Sequence, residues 1–169
     1  MKWLTRVLLA LLVLFVIAQF FQPSMPAPRV DETKTLYHVE SVPPNVRAIL
    51  HRACDDCHSS RTAWPWYARV SPVSWWLAKH VRQGRKEMNV DDWADFKPRR
   101  KARKLEEICD QVKEKKMPLE SYLPLHPQAK LSDGDRGALC QWSSALRMRI
   151  IAEHPEAARP AQPQPAQQK

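Results

Sequence analysis

Cys54-Asp55-Asp56-Cys57-His58 places two thiols and an imidazole within five consecutive residues. On one turn of helix, the thiols of Cys54 and Cys57 point to the same side. They can then add to the two vinyl groups of one porphyrin, while the adjacent imidazole binds the iron as proximal ligand. The motif therefore predicts one haem c, attached covalently through Cys54 and Cys57 and ligated by His58.

The same two thiols could instead form half of a zinc site, with Cys109 and Cys140 as the other ligands. Structural zinc usually takes its second pair of ligands from another tight knuckle, whereas these two cysteines stand far apart. A redox-active cysteine pair is disfavoured as well, because no strand-helix-strand pattern surrounds the motif. Haem is therefore the favoured ligand.

The N-terminus carries an apolar run. Lys2 and Arg6 precede uncharged residues from Val7 to Phe21, a length close to that of a short membrane span. Cations before such a run keep the N-terminus in the cytoplasm. We expect residues 1–22 to form an uncleaved signal anchor, because small residues typical of a cleavage site are missing. The chain would then be a single-pass inner-membrane protein with its C-terminal domain in the periplasm.

Two segments of biased composition flank the middle of the chain. Residues 23–44 contain five prolines and no helical periodicity, which predicts an extended tether. Residues 153–169 are rich in Pro, Gln and Ala and have little to bury, so we expect a disordered tail. The domain itself is expected at residues 45–152, which is room for one small domain of about 100 residues.

The domain is predicted to be all-α, with no convincing strand. Asn45 and Ser71 are expected to cap the first two helices, and Gly84 to end the second. Ser132 and Asp135 form the pattern of a capping box. Apolar periodicity then predicts helices of approximate bounds 45–53, 72–83, 99–115 and 133–151. So small a helical domain buries little apolar surface alone, and a porphyrin would complete its core.

The iron needs a second axial ligand, for which methionine and histidine are the candidates. We expect Met117, because it lies in a loop stiffened by Pro118 rather than on a helical face. Methionine ligation favours ferrous iron and raises the reduction potential of a c-type haem. His51 is expected to be solvated. The alternatives are bis-histidine ligation through His80 or His126, and ligation by Met88.

Further motifs follow the haem motif in order over residues 45–142. They are Trp64-Pro65-Trp66-Tyr67, Ser71-Pro72-Val73-Ser74-Trp75-Trp76, His80-Val81 with Gly84-Arg85, Asn89 with Trp93, Met117-Pro118-Leu119 with Tyr122, and Leu131-Ser132 ahead of Trp142. Together they resemble the bacterial periplasmic haem-binding domain family of small, single-haem, cytochrome c-like proteins. The resemblance implies a cytochrome c-like helical fold around a covalent haem, with His58 and Met117 as iron ligands. It implies no established reaction.

Four side chains are candidates for holding the haem propionates or shaping the haem edge. They are Arg61, Trp66, Tyr67 and Arg85, chosen by resemblance and by their chemistry. The segment Met88-Asn89-Val90-Asp91 departs from the family, in which we expect leucine first and an aromatic residue after the asparagine.

The chain is basic, with a formal net charge of +9. Residues 97–104 contain six cations in eight positions. They can steer an acidic redox partner or contact anionic lipid, or form a solvated face partly neutralised by Glu106, Glu107 and Asp110. No nucleic-acid partner is expected on the far side of a membrane, and no oligomeric state is predicted.

Cys109 and Cys140 each fall on or beside the apolar face of a predicted helix. They can form a disulfide that ties the third helix to the last, or remain two buried thiols. Helical spacing alone does not decide between these alternatives.

These features predict a membrane-tethered monohaem c-type cytochrome that transfers single electrons outside the cytoplasm and is not itself an enzyme. The alternative is a haem-dependent peroxidase or gas-sensing domain, which requires a displaceable distal ligand. A third interpretation is a structural or haem-handling role.

Overall fold

The regular structure of the chain is entirely helical in the part that is described. The structure is a computed structural model and describes residues 2–25 and 28–158. Within these residues there is no strand, which confirms the predicted all-α class. The α-helices are α1 (Lys2–Ala18), α2 (Leu36–Val39), α3 (Pro44–Ala53), α4 (Asp55–His58), α5 (Val73–Glu87), α6 (Pro98–Lys113) and α7 (Asp133–Glu153). Short 3₁₀ helices lie at Glu32–Lys34, Trp66–Arg69, Val90–Asp95, Pro127–Ala129 and Pro155–Ala158.

The core lies between α6, α7 and the helices that lead up to the haem motif. α6 and α7 form the most extensive helix pair and are joined by a disulfide between Cys109 and Cys140. α3 packs against α7, and the 3₁₀ helix Val90–Asp95 packs against α2. The largest fully buried side chains of this core include Trp93, Leu36, Leu50, Leu105 and Leu139. Of the two alternatives for the cysteines, the structure contains the disulfide.

Of the three helix caps predicted from the sequence, only the cap of α7 is present. α7 begins with the predicted capping box, since the Ser132 hydroxyl accepts from the Asp135 amide at 3.1 Å and the Asp135 carboxylate accepts from the Ser132 amide at 2.8 Å. Asn45 does not cap α3, because Pro44 already occupies the first helical position. α5 begins one residue later than expected, at Val73, and has no side-chain cap.

The sequence predicts that Gly84 ends α5. This prediction is wrong, because the helix continues through Gly84 to Glu87. A Cβ atom at Gly84 would lie 2.6 Å from the carbonyl oxygen of Cys57. Glycine is favoured here because the backbones of α4 and α5 approach so closely that a Cβ atom would force them apart. This contact seats the haem motif directly on α5.

The N-terminal helix α1 has 17 residues, and none of them is buried. Among the described residues, no helix is long and apolar enough to cross a membrane. The expected membrane anchor over residues 1–22 is therefore not supported.

The folded region extends beyond the expected limits of 45–152. Residues 32–39, within the expected extended tether, form one 3₁₀ helix and α2, and Leu36 is fully buried in the core. On the C-terminal side, Pro155–Ala158 forms a 3₁₀ helix in which Ala157 is buried. The remainder of the expected disordered tail, residues 159–169, lies outside the described residues.

Candidate functional site

The haem motif occupies a single helical turn. α3 ends at Ala53, and the amide of Cys54 still donates to the carbonyl of Leu50 at 2.9 Å. The amides of Cys57 and His58 then donate to the carbonyl of Cys54, at 3.1 and 2.9 Å. Cys54, the N-cap residue of α4, and Cys57, within α4, are free thiols and partly buried. The single helical turn that the motif predicts is therefore present.

The thiols lie in an environment that keeps them protonated. Burial raises the pKa of Cys54 to about 12, assisted by the negative charge of Asp55. Burial likewise raises the pKa of Cys57 to about 11, with a further contribution from Asp56. Since the thiolate is the reactive form in oxidation, both groups are poorly reactive in the absence of a partner.

His58 has the orientation of a metal ligand. Its Nδ1 lies 3.0 Å from the backbone carbonyl oxygen of Met88, which can only accept, so Nδ1 carries the proton. Nε2 is then the nitrogen that presents a lone pair for iron. Burial lowers the pKa of His58, against the opposing effect of this hydrogen bond, which favours the neutral ring that a metal requires. Two thiols and one oriented imidazole thus fit a haem.

Each of the two aspartates within the motif accepts a tyrosine hydroxyl. Tyr37, on α2, donates to both oxygens of Asp55, at 2.8 and 2.9 Å. Tyr122, in the loop after α6, donates to Oδ2 of Asp56 at 2.5 Å. Burial and these carboxylates raise the pKa of both tyrosines, so the hydroxyls stay protonated as donors. The motif is therefore bound to segments that precede and follow it in the chain.

A cavity beside Cys57 brings together several of the predicted site residues. Its walls include Cys57, Tyr67, Leu77, Val81, Tyr122 and His126. It encloses only about 10 Å³. This space is far smaller than a porphyrin.

His126, an alternative axial ligand, lies in this cavity in a hydrogen-bonded aromatic cluster. The Tyr67 hydroxyl lies 2.6 Å from Nε2 of His126. The rings of Tyr122 and His126 are stacked, with centroids 3.9 Å apart and planes 8° apart. Nε2 of His126 thus already has a partner within the protein.

Met117 lies in the loop after α6, as its sequence context predicted, and is partly buried. Its amide donates to the carbonyl of Gln111 at 3.2 Å. The side chain of Met88 is buried in the core, and its backbone carbonyl accepts a hydrogen bond from Nδ1 of His58. His80 packs on Trp76, with centroids 4.1 Å apart. The Met117 side chain is not part of the cavity wall.

The four candidates for the haem edge have different surroundings. Tyr67 lines the cavity, whereas Trp66 is 80% exposed outside it. Arg61 pairs with Glu32 at 2.7 Å. The Arg85 guanidinium donates to Ser59 and Thr62, both at 2.8 Å, and so holds the loop that follows the motif.

Cations at residues 97–104 are largely engaged within the domain. Lys104 is buried and pairs with Glu107 at 2.6 Å and with Glu87 at 3.4 Å. Lys101 lies 3.7 Å from Glu40. Of the acidic residues expected to neutralise this run, Glu107 does so, while Glu106 pairs with Arg147 at 3.3 Å on α7.

Sequence reasoning did not identify the contacts that support the motif. Asp55 and Asp56 are visible in the sequence only as the two intervening residues. Tyr122 belongs to one of the motifs quoted for the family resemblance, but that motif assigns it no partner. Tyr37 gives no local signal, because its role depends on a contact 18 positions along the chain.

An all-helical domain with two free thiols and an oriented histidine on one turn has the groups that a haem-binding protein uses. A family model described as a haem-binding domain matches residues 13–145, which is most of the chain. The chain therefore belongs to the haem-binding domain family. No curated protein and no solved structure gives a significant match.

Proposed function

We propose that this haem-binding protein is a monohaem c-type cytochrome that transfers single electrons. The observation that carries the proposal is the hydrogen bond from His58 Nδ1 to the Met88 carbonyl, 3.0 Å long, beside two free thiols on the same turn. It fixes the tautomer and the ring orientation that axial ligation requires.

The haem would be attached covalently by Cys54 and Cys57. Each sulfur forms a bond to one vinyl carbon while the thiol proton passes to the other carbon, so no oxidant or reductant is consumed. When bound, the haem supplies an iron that accepts or releases one electron. His58 would bind that iron on the proximal side.

Met117 is proposed as the distal ligand. It precedes Tyr122 by five positions, and Tyr122 is hydrogen-bonded to Asp56 of the motif. Five residues span at most about 17 Å, so Met117 lies on a chain segment with a short connection to the haem motif. A thioether in this position would favour ferrous iron, as suits an electron acceptor.

The proposed location is an oxidising compartment outside the cytoplasm, such as a periplasm. Its support is the disulfide between Cys109 and Cys140, a bond that persists in such compartments. The proposed partner is an acidic redox protein, because a formal net charge of +9 attracts negatively charged surfaces.

The optical spectrum of the purified protein, produced with haem-attachment machinery, tests this function. We expect a low-spin haem whose ferric form shows the near-infrared sulfur-to-iron band, and we expect Met117→Ala to lose that band. Met148→Ala is the matched control, because Met148 is 70% exposed on α7. A high-spin wild-type spectrum, or one that Met117→Ala leaves unchanged, would contradict the assignment of Met117.

A second candidate function is haem catalysis or gas sensing. The observation that favours it is the Tyr67–His126 pair, 2.6 Å apart in the cavity beside Cys57, which could exchange protons with a ligand on iron. Hydrogen peroxide turnover by the wild type that falls in Tyr67→Phe and His126→Gln would favour this function. Turnover no faster than that of free haem would exclude peroxidase catalysis.

A further inference from the structure

The two aspartates of the haem motif connect it to different parts of the chain. Asp55 accepts the hydroxyl of Tyr37, on α2. Asp56 accepts the hydroxyl of Tyr122, on the loop that also carries Met117. The two contacts are chemically alike, but only the second reaches the segment that holds the proposed distal ligand.

The Met117 loop, residues 114–126, is held at both of its ends. At the first end, the amides of Lys116 and Met117 donate to the carbonyl of Gln111 on α6, at 2.9 and 3.2 Å. At the other end, Tyr122 is bonded to Asp56 at 2.5 Å and stacks on His126. Met117 therefore lies on a short stretch between two fixed points, one of which is the haem motif itself.

Asp56 is itself held in place, so its carboxylate is a defined anchor for the loop. Its Oδ1 accepts from the amide of Ala63 at 3.1 Å, and its carbonyl accepts from the hydroxyl of Thr62 at 2.7 Å. Thr62 in turn accepts from Arg85 at 2.8 Å. These contacts orient the carboxylate independently of Tyr122.

We propose that Asp56 and Tyr122 are positioning residues that hold the Met117 loop against the haem-attachment helix and so keep Met117 at the distal position. The proposal rests on the proposed function, since it takes Met117 as the distal ligand. Without the hydrogen bond, the loop keeps its contacts with α6 and with His126 but loses its direct bond to the haem motif, and the sulfur leaves the iron more often. An added ligand then enters the vacated position faster.

The experiment measures the rate at which imidazole binds the ferric holoprotein, using the full chain. Tyr122→Phe removes the hydroxyl bonded to Asp56, and the matched control Tyr37→Phe removes the corresponding hydroxyl bonded to Asp55. We expect Tyr122→Phe to bind imidazole about tenfold faster, equivalent to about 1.4 kcal/mol. We expect Tyr37→Phe to bind at the wild-type rate, even where the two variants lose similar stability in urea.

Two variants of Asp56 provide an independent measurement. In Asp56→Asn the amide oxygen can accept from the Ala63 amide while the NH2 group donates to the Tyr122 hydroxyl oxygen, so a hydrogen bond to the loop remains and the rate should stay close to that of the wild type. Asp56→Ala removes both contacts and should show the faster rate. Equal rates for these two variants overturn the proposal, as does a Tyr122→Phe rate that matches Tyr37→Phe.

Met117→Ala distinguishes a failure of the proposed ligation by Met117 from a failure of the positioning role of Asp56 and Tyr122. If its spectrum and imidazole rate match the wild type, Met117 is not a ligand, and both the proposed ligation and this inference are wrong. If Met117→Ala changes both readouts while Tyr122→Phe behaves as Tyr37→Phe, the ligation stands and only the positioning role is wrong.

Discussion

Replacing Gly84 by alanine tests the seating of the haem motif on α5. The new Cβ would lie 2.6 Å from the Cys57 carbonyl oxygen, 3.2 Å from its carbonyl carbon and 3.3 Å from its Cβ. The nearest atom belongs to the backbone, so no side chain can move aside. Reaching an ordinary contact of 3.4 Å requires α4 and α5 to separate by about 0.8 Å.

The expected cost follows from two opposing effects. Forcing a methyl group into a packed contact costs about 1–3 kcal/mol, whereas alanine favours a helix over glycine by about 1 kcal/mol. We therefore expect Gly84→Ala to lower the free energy of unfolding by about 1 kcal/mol. The shift also displaces Cys57, so the yield of covalently attached haem should fall.

Gly137→Ala is the matched control for this prediction. Gly137 lies within α7, and a Cβ atom there would meet nothing within 4 Å. Only the helix preference remains, so this variant should gain up to about 1 kcal/mol. Urea unfolding gives both free energies, and a haem stain on a denaturing gel gives the yield. If Gly84→Ala is stabilised as much as Gly137→Ala and keeps the full haem yield, the close contact has no consequence and the reasoning fails.

Further predictions concern the disulfide and the cap of α7. The double variant Cys109→Ser, Cys140→Ser should lower the free energy of unfolding by about 3–4 kcal/mol, because the disulfide closes a long loop across a sequence separation of 31. Thermal unfolding measures this loss, and an unchanged midpoint temperature would contradict the prediction. Ser132→Ala should cost about 1 kcal/mol through loss of the capping box, measured by urea unfolding against Ser144→Ala on the exposed face of α7. Burial acts to raise the pKa of Asp135, but hydrogen bonds from Ser132 and pairing with Arg52 lower it below the ordinary 3.8. A carboxyl whose pKa is lower in the folded chain than in the unfolded chain stabilises the fold at pH values above its unfolded pKa. The contribution of Asp135 to the free energy of unfolding should therefore be lost as the pH falls below about 4. Asp135→Asn should flatten this part of the dependence of stability on pH.

Local features could be predicted from the sequence because they depend on near neighbours. The haem motif needs only one turn of helix, and the capping box of α7 needs only Ser132 and Asp135. The apolar periodicity of α6 and α7 likewise indicated both helices. For these elements the relevant contacts lie within a few residues of one another.

Features that depend on distant contacts were not predictable in this way. Gly84 is a common helix terminator, and only the approach of Cys57 explains why α5 continues through it. Leu36 is buried because it joins a core cluster with Trp93, so its segment folds although its composition predicted a tether. The pairing of Cys109 with Cys140 depends on how α6 and α7 face each other, which spacing along each helix does not determine.

The proposed function rests on covalent attachment of one haem through Cys54 and Cys57. Its most direct test is the mass of the full chain, produced with haem-attachment machinery and measured under denaturing conditions. We predict that the wild type retains the mass of one haem and that Cys54→Ser with Cys57→Ser retains none. A wild-type chain with the mass of the polypeptide alone, or a double variant that still retains haem, would contradict the claim.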